Sequence, residues 1–456
     1  MDYLHNKDKY LSRYAILGNR PVSARFLENI ENAVVIPVLQ EKQTLFETLA
    51  SLAKNPAADL EKTIVISVVN NHSAAVASPE EIMENQETLA ILRGLIQKGD
   101  IPHYADEKLN QYLKIISDSR LRLASIDASS PGSEIPDSSG GVGTARKIGM
   151  DAALALLDER ALGKGVITCL DADTIVEENF LPAIHRFFSV STRPAGVTRY
   201  AHRMPYDTRL FSAICRYEIF LRSYVMGLSF AGSSYAFPAI GSTISSRAES
   251  YVAVRGMNRN EAAEDFHFLD KIAKIGPIGF IEYTTVHPSA RLSKRVPFGT
   301  GSRMTDVIEK GRDEFLIYNP EIFDILRKFL SEMNTFPDRK VMEIMRMAFD
   351  IHTALHEYLT VSRFQRKWEA TRRNHADPDY LRRQFHVWFD GLKTLRLVHH
   401  LSRVYFPPLE MFSGLKRLSG MTGKEIFSLK KISADAPKPE NLLSILEELR
   451  VLFPHS

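Results

Sequence analysis

The sequence is short of cysteine, of net charge and of long apolar runs, and each shortage removes a class of protein. Two cysteines in 456 residues, Cys169 and Cys215, are too few for a disulfide framework or a cysteine zinc site, so redox chemistry and structural zinc fall away. With 58 Lys and Arg against 55 Asp and Glu, the formal net charge of +3 makes no whole-chain case for nucleic-acid binding. No apolar run of about 18 residues occurs, and the opening MDYLHNKDKYLSRY lacks the uninterrupted apolar core of a secretory signal. The expected address is the cytoplasm. What remains, at 44% hydrophobic and 25% charged residues, can bury a large core and is long enough for two or more domains.

The most informative stretch is GVITCLDAD, residues 165–173. Val166, Ile167, Cys169 and Leu170 form a short apolar run that suits a strand buried on both faces, and the run ends on Asp171 and Asp173. Two acids bracketing one alanine repel each other unless a cation sits between them, and hard oxygen donors suit Mg2+ or Mn2+ escorting a diphosphate. The plainer alternative is an acid pair at a turn before the next helix.

Residues 32–39, NAVVIPVL, read as the first core strand, followed by a helix through Leu45, Leu49 and Leu52. Residues 63–69, TIVISVV, read as a second, ending in Asn70, Asn71 and His72. Buried strands that deliver polar side chains to one edge, with a helix between, predict a doubly wound α/β sheet. Residues 79–116 are polar and helix-periodic and read as a helical insertion; residues 121–128 return to strand character. A Ser, Pro and Gly loop, 129–143, then leads into a helix with Ala145, Ile148, Ala152 and Leu156 on one face. Arg146 and Lys147 lie in its first turn, where cations oppose the helix dipole. They mark a bound anion approached through Gly140, Gly141 and Gly143, or else simply point to solvent beside a plain loop. Farther on, Phe268, Leu269, Ile272 and Ile275 make an apolar helix face with Glu264 and Asp265 in the first turn, where acids also merely complement the dipole.

The order VVIPVLQE, VVNNHS, GGVGTARKIGMDAAL, ITCLDAD, GSTISSRAESYVAVRGM and AEDFHFLDKIAKIG over residues 32–276 resembles a family 2 glycosyltransferase of the GT-A fold. The resemblance implies an α/β, Rossmann-like, mostly parallel mixed sheet flanked by helices over residues 1–310. It implies that Pro37 and Glu41 lie beside the nucleotide and that Asn70 or Asn71 takes the base-reading position, where many relatives carry aspartate. It places Arg146 and Lys147 near base and phosphates, Asp171 on the ribose or the metal, Asp173 directly on the metal, and Asp265 as catalytic base. In residues 280–303, His287 completes the metal shell or touches the diphosphate, as in some GT-A enzymes, or is a surface histidine. Arg291 and Arg295 belong to several cations that converge in a glycine-containing loop and are expected to meet the diphosphate, and PFGTG, residues 297–301, would then be a closing lid with glycine hinges.

From residue 311 the composition turns helical, with Asn319-Pro320 and Asp377-Pro378 as helix starts, so a C-terminal all-helical domain is expected over 311–456. Residues 361–403 hold ten Lys or Arg against four Asp or Glu, a local net of +6, which suits peripheral contact with anionic lipid or an anionic acceptor; a solvated helix face is the commoner explanation. QRKW at 365–368 superficially matches the QxxRW signature of processive synthases but is one residue short and falls about a hundred residues past Asp265. The resulting expectation is a metal-dependent, inverting glycosyltransferase. It uses Mg2+ or Mn2+ and a UDP- or GDP-sugar, UDP favoured, and makes one transfer per binding event to an acceptor hydroxyl. A retaining transferase making a small glycoside, in which Asp265 is not the base, and a non-catalytic nucleotide-binding scaffold are the alternatives.

Overall fold

The computed structural model describes residues 3–72, 76–99, 102–136, 141–159, 164–259, 263–293, 299–311, 316–432 and 439–456. The chain groups into two compact units, one of residues 1–204 with 239–302 and one of residues 205–238 with 303–456.

The first unit is built on a nine-stranded sheet: β1 Val22–Ala24, β2 Asn32–Val38, β3 Thr63–Asn70, β4 Arg122–Ala128, β5 Val166–Cys169, β6 Thr174–Val176, β7 Ala195–Tyr200, β8 Ile244–Arg247 and β9 Gly279–Pro288. Their order is β1-β4-β3-β2-β5-β8-β7-β9-β6. β4, β3, β2 and β5 are mutually parallel, β7 and β9 run in the same sense, and β1, β8 and β6 oppose them. This mostly parallel, Rossmann-like mixed sheet flanked by helices, followed by a C-terminal helical region, is the fold class expected from the sequence.

The Val and Ile runs of the central strands are explained by burial on both faces: every residue of β3 is buried. Val34, Ile36 and Val38 of β2 share a core with Leu45 and Leu49 of the helix Lys42–Ala53 and with Phe180 and Ile184 of the helix Phe180–Val190. Val35 points the other way, and there the helix Val142–Leu156 lies so close that a Cβ on Gly149 would run into its side chain. Residues 79–116 form two helices, Pro79–Gln97 and Glu107–Asp118, which bridge the parallel neighbours β3 and β4 and bury Leu89, Leu92, Leu109 and Leu113 in the same core. Ser78 caps the first, accepting from the Glu81 N–H at 3.2 Å, and Asp106 caps the second.

Among its described residues the second unit is helical apart from a short ribbon, Leu316–Ile317 paired with Leu409–Glu410. Its helix Thr208–Phe230 carries a fully buried Glu218, paired with Arg222 at 2.9 Å and Arg450 at 2.8 Å. Trp368, the last residue of QRKW, is 1% exposed, stacks on Phe364 with centroids 5.7 Å apart and meets Phe385 edge-on, so it serves the core. Among the described residues, no helix is long and apolar enough to cross a membrane.

Candidate active site

Because β2, β3 and β5 are parallel, their C-terminal ends share one edge of the sheet, where an open α/β sheet holds ligands. The DAD turn follows β5 there. Its alanine is buried, 3% exposed, and Thr48 donates to the Ala172 carbonyl at 3.0 Å. The Thr174 N–H closes the turn on the Asp171 carbonyl at 3.2 Å. A small residue between the acids lets the turn pack down while Asp171 and Asp173 stay half-buried at the surface.

Arg146, 3% exposed at the start of the helix Val142–Leu156, donates one terminal nitrogen to Asp171 and the other to Glu264. Its Nε is buried without a hydrogen-bond partner among the described residues. Gly241 makes room for this guanidinium, since a Cβ at that position would fall inside it. Glu264 and Asp265 open the helix Glu264–Ala273 behind Ala263, which has a left-handed φ of +59°. Glu264 is 3% exposed; Asp265 is half-buried, with Oδ1 accepting the Phe266 N–H at 2.7 Å. Two carboxyls thus hold one guanidinium, and Asp265 lies within its electrostatic reach. Burial pushes Glu264 up to about 7 against the opposing pull of Arg146, with Asp265 adding to the rise. Burial likewise raises Asp265 and Asp171, again with Arg146 opposing.

A second guanidinium meets the other acid of the turn. Arg291 donates from Nε to Asp173 Oδ2 at 2.8 Å and from Nη2 to Glu41, whose other oxygen accepts from the Thr44 hydroxyl at 2.6 Å. The structure therefore brings together Glu41, Arg146, Asp171, Asp173, Asp265 and Arg291 from the sequence-predicted set. Pro37 sits half-buried in β2 opposite Val68. Asn70, at the end of β3, and Asn71 are buried, and Asn71 donates to the Ser129 carbonyl at 2.8 Å.

Two other candidates have different partners. Lys147 is held by Tyr10 Oη at 2.7 Å and by Asp151 at 3.1 Å, and its ammonium faces the rings of Tyr10 and Tyr251. His287 lies opposite Ile175 on β6 and reaches the Ala201 carbonyl at 3.2 Å and Glu177 at 3.7 Å. Arg295 and Gly140 lie outside the described residues, as do Pro297 and Phe298 of the PFGTG segment, whose Thr300 opens the helix Thr300–Lys310.

Sequence reasoning missed the buried partner of Arg146, which is Glu264, and it missed Asn85. Asn85 reads as one more polar residue in an amphipathic helix, yet it is fully buried and hydrogen-bonded to the ends of both β2 and β3.

Among the described residues no cluster of three or more His, Cys, Asp or Glu could hold a metal ion unaided. Asp171 and Asp173 nonetheless supply hard oxygen donors one residue apart. Such a pair fits Mg2+ or Mn2+, which commonly takes one or two carboxylates and fills its remaining positions with phosphate oxygens and water.

No protein-family model matches the chain, and no curated protein matches it. Among solved structures it is similar to S. aureus TarS 1–349 in complex with UDP-GlcNAc, with 13% identity over 77% of this chain and 89% of that one and a TM-score of 0.37. It is similar to mannosyltransferase PcManGT from Pyrobaculum calidifontis in complex with GDP-Man and Mn2+, with 11% identity, coverages of 99% and 90% and a TM-score of 0.34. GalNAc-T7 with UDP, GalNAc and Mn2+ follows at 15%, 71% and 55%, and 0.32. At these values the likeness assigns no substrate and no residue, and those rest on the chemistry above.

Proposed function

We propose that the chain transfers a sugar from a UDP- or GDP-sugar to an acceptor hydroxyl, with inversion and one transfer per binding event. The observation that carries this reading is the meeting of two strand-end carboxylates, Asp171 and Asp173, with Arg146, Arg291 and the half-buried Asp265 at one sheet edge. Displacement at an anomeric carbon breaks the bond to the diphosphate oxygen and forms one to the acceptor oxygen. The acceptor's proton must go to a base, and the departing diphosphate must be neutralised.

Asp265 takes the proton. Its raised pKa, caused by burial, brings it nearer to neutral pH, where a base is most effective. Glu264, tied to Arg146, is the neighbour that holds the arginine in place. Arg291, held by Asp173 and Glu41, supplies positive charge to the departing diphosphate, and Asn70 and Asn71 form the rim that meets the base. A divalent ion bound by Asp171 and Asp173 would supply further neutralisation of the departing diphosphate.

The test is a thermal-shift series of UDP, GDP and their sugar conjugates with and without Mn2+, followed by product analysis. A ligand that binds only the folded chain raises its melting temperature by mass action. No shift with any of these ligands would overturn the reading, and retained anomeric configuration in the product would overturn inversion.

A further inference from the structure

The helix Pro79–Gln97 presents Glu81, Glu84 and Asn85 at i, i+3 and i+4, a spacing that puts all three on one face. That face fastens the ends of β2 and β3. Glu81 accepts the His72 N–H at 2.6 Å and pairs with its ring at 2.8 Å, and Glu84 accepts the Lys42 N–H at 3.0 Å. Asn85, 0% exposed, accepts the Gln40 N–H at 2.9 Å and donates to the Asn70 carbonyl at 3.0 Å and to Asn71 Oδ1 at 2.5 Å.

The direction of these amides is forced by backbone partners. The Gln40 N–H can only donate, so Asn85 turns its oxygen to Gln40 and its NH2 to Asn71. Asn71 must then present its oxygen to Asn85 and its NH2 to the Ser129 carbonyl, which can only accept. Gln40 itself holds a left-handed φ of +54°, a conformation a non-glycine residue keeps only where its surroundings fix it.

We propose that Asn85 is the positioning residue that sets which nucleobase the site accepts. It fixes the polarity of the Asn71 amide and the backbone of Asn70 and Gln40 from a distance. The inference rests on the nucleotide-binding reading above and adds to it the residue that governs base selectivity.

Calorimetry with UDP, GDP, ADP and pyrophosphate, each with Mn2+, tests it on the wild-type chain, Asn85→Asp and Asn85→Ala. Asn85→Asp keeps the shape but turns a donor into an acceptor facing two oxygens. The tightest nucleoside diphosphate should weaken about tenfold or more, and the spread among the three should close to within about threefold. Pyrophosphate should hold within about twofold, because it carries no base for Asn71 to meet. A spread that survives in both variants overturns the proposal, as does a loss shared equally by pyrophosphate or a wild-type chain with no spread. If neither variant folds, Asn71→Ala tests the link the proposal needs, since it removes the amide whose polarity Asn85 sets and keeps the Asn85 bonds to Gln40 and Asn70; a spread that survives it overturns the proposal. A wild-type chain that binds none of the four ligands overturns the functional reading itself.

Discussion

Arg291 pairs with Asp173 through Nε at 2.8 Å while a second nitrogen holds Glu41, so the acid proposed to meet a divalent ion is already matched with a cation from the same chain. Two cations cannot share that oxygen without repulsion. Arg291→Ala should therefore bind Mn2+ alone more tightly, by about tenfold, and a sugar nucleotide more weakly by a similar factor, from the loss of a charged hydrogen-bond donor. Electron paramagnetic resonance of free Mn2+ and calorimetry of the sugar nucleotide read the two arms separately. Weakening of both would mean that Arg291 builds the site and does not compete for it.

The two acids of the turn should respond differently to removal. Asp173 pairs with an Arg291 that is 32% exposed and can turn to water, so Asp173→Ala should change stability by less than about 1 kcal/mol while removing the Mn2+-dependent part of UDP binding. Asp171 faces an Arg146 that is 3% exposed, so Asp171→Ala should cost about 1–3 kcal/mol by leaving a buried donor short of an acceptor. Urea unfolding of both variants checks the contrast, and equal costs would undo it.

Asp265→Asn keeps size and hydrogen bonding but cannot take a proton. Transfer should fall by about 10²–10⁴-fold with donor binding nearly unchanged. Turnover close to wild type, or a greater loss in Glu264→Gln with Arg146 still in place, would move the base to Glu264.

Glu264 also carries a pH signature. It titrates near 7 in the folded chain against 4.5 for an unperturbed glutamate. Below the lower value both states hold the proton. Between the two the unfolded chain releases it and the folded chain keeps it, so the stability this group contributes declines as pH rises and levels off above 7. The difference between wild type and Glu264→Gln should change across that window by at most about 1.4 kcal/mol per pH unit. Parallel stability profiles from pH 5 to 8 would show a glutamate ionised throughout.

Much of this site could be read from residues alone because buried parallel strands announce themselves: Val and Ile runs that stop on Asp171, Asp173, Asn70 and Asn71 locate the sheet edge without any structure. Arg146 stood out as a cation at the wrong end of a dipole, and its answer is a pair of carboxylates from segments 25 and 118 residues away. Lys147 raised the same signal and has another role. Neighbouring residues on a helix point about 100° apart, so one side chain meets Asp171 and the next meets Asp151 and Tyr10. His287 shows the strand counterpart, since cross-strand register sets it opposite Ile175 and beside Glu177. Asn85 gave no sequence signal, because its role depends on which turn of a helix passes the ends of two distant strands.

The chain leaves the sheet-bearing unit at residue 204, completes the helix Thr208–Phe230 as part of the other, and returns at 239. No single cut therefore separates the two units. Stopping synthesis at residue 302 would yield every strand of the sheet and also a helix whose Ile214, Ile219 and Leu228 have lost the helices Glu321–Thr335, Met411–Thr422 and Pro439–Leu452 that pack on it. Such a fragment would present a sticky apolar rod. On the ribosome the same geometry leaves that helix without its full set of partners until the fourteen-residue helix Pro439–Leu452 has emerged.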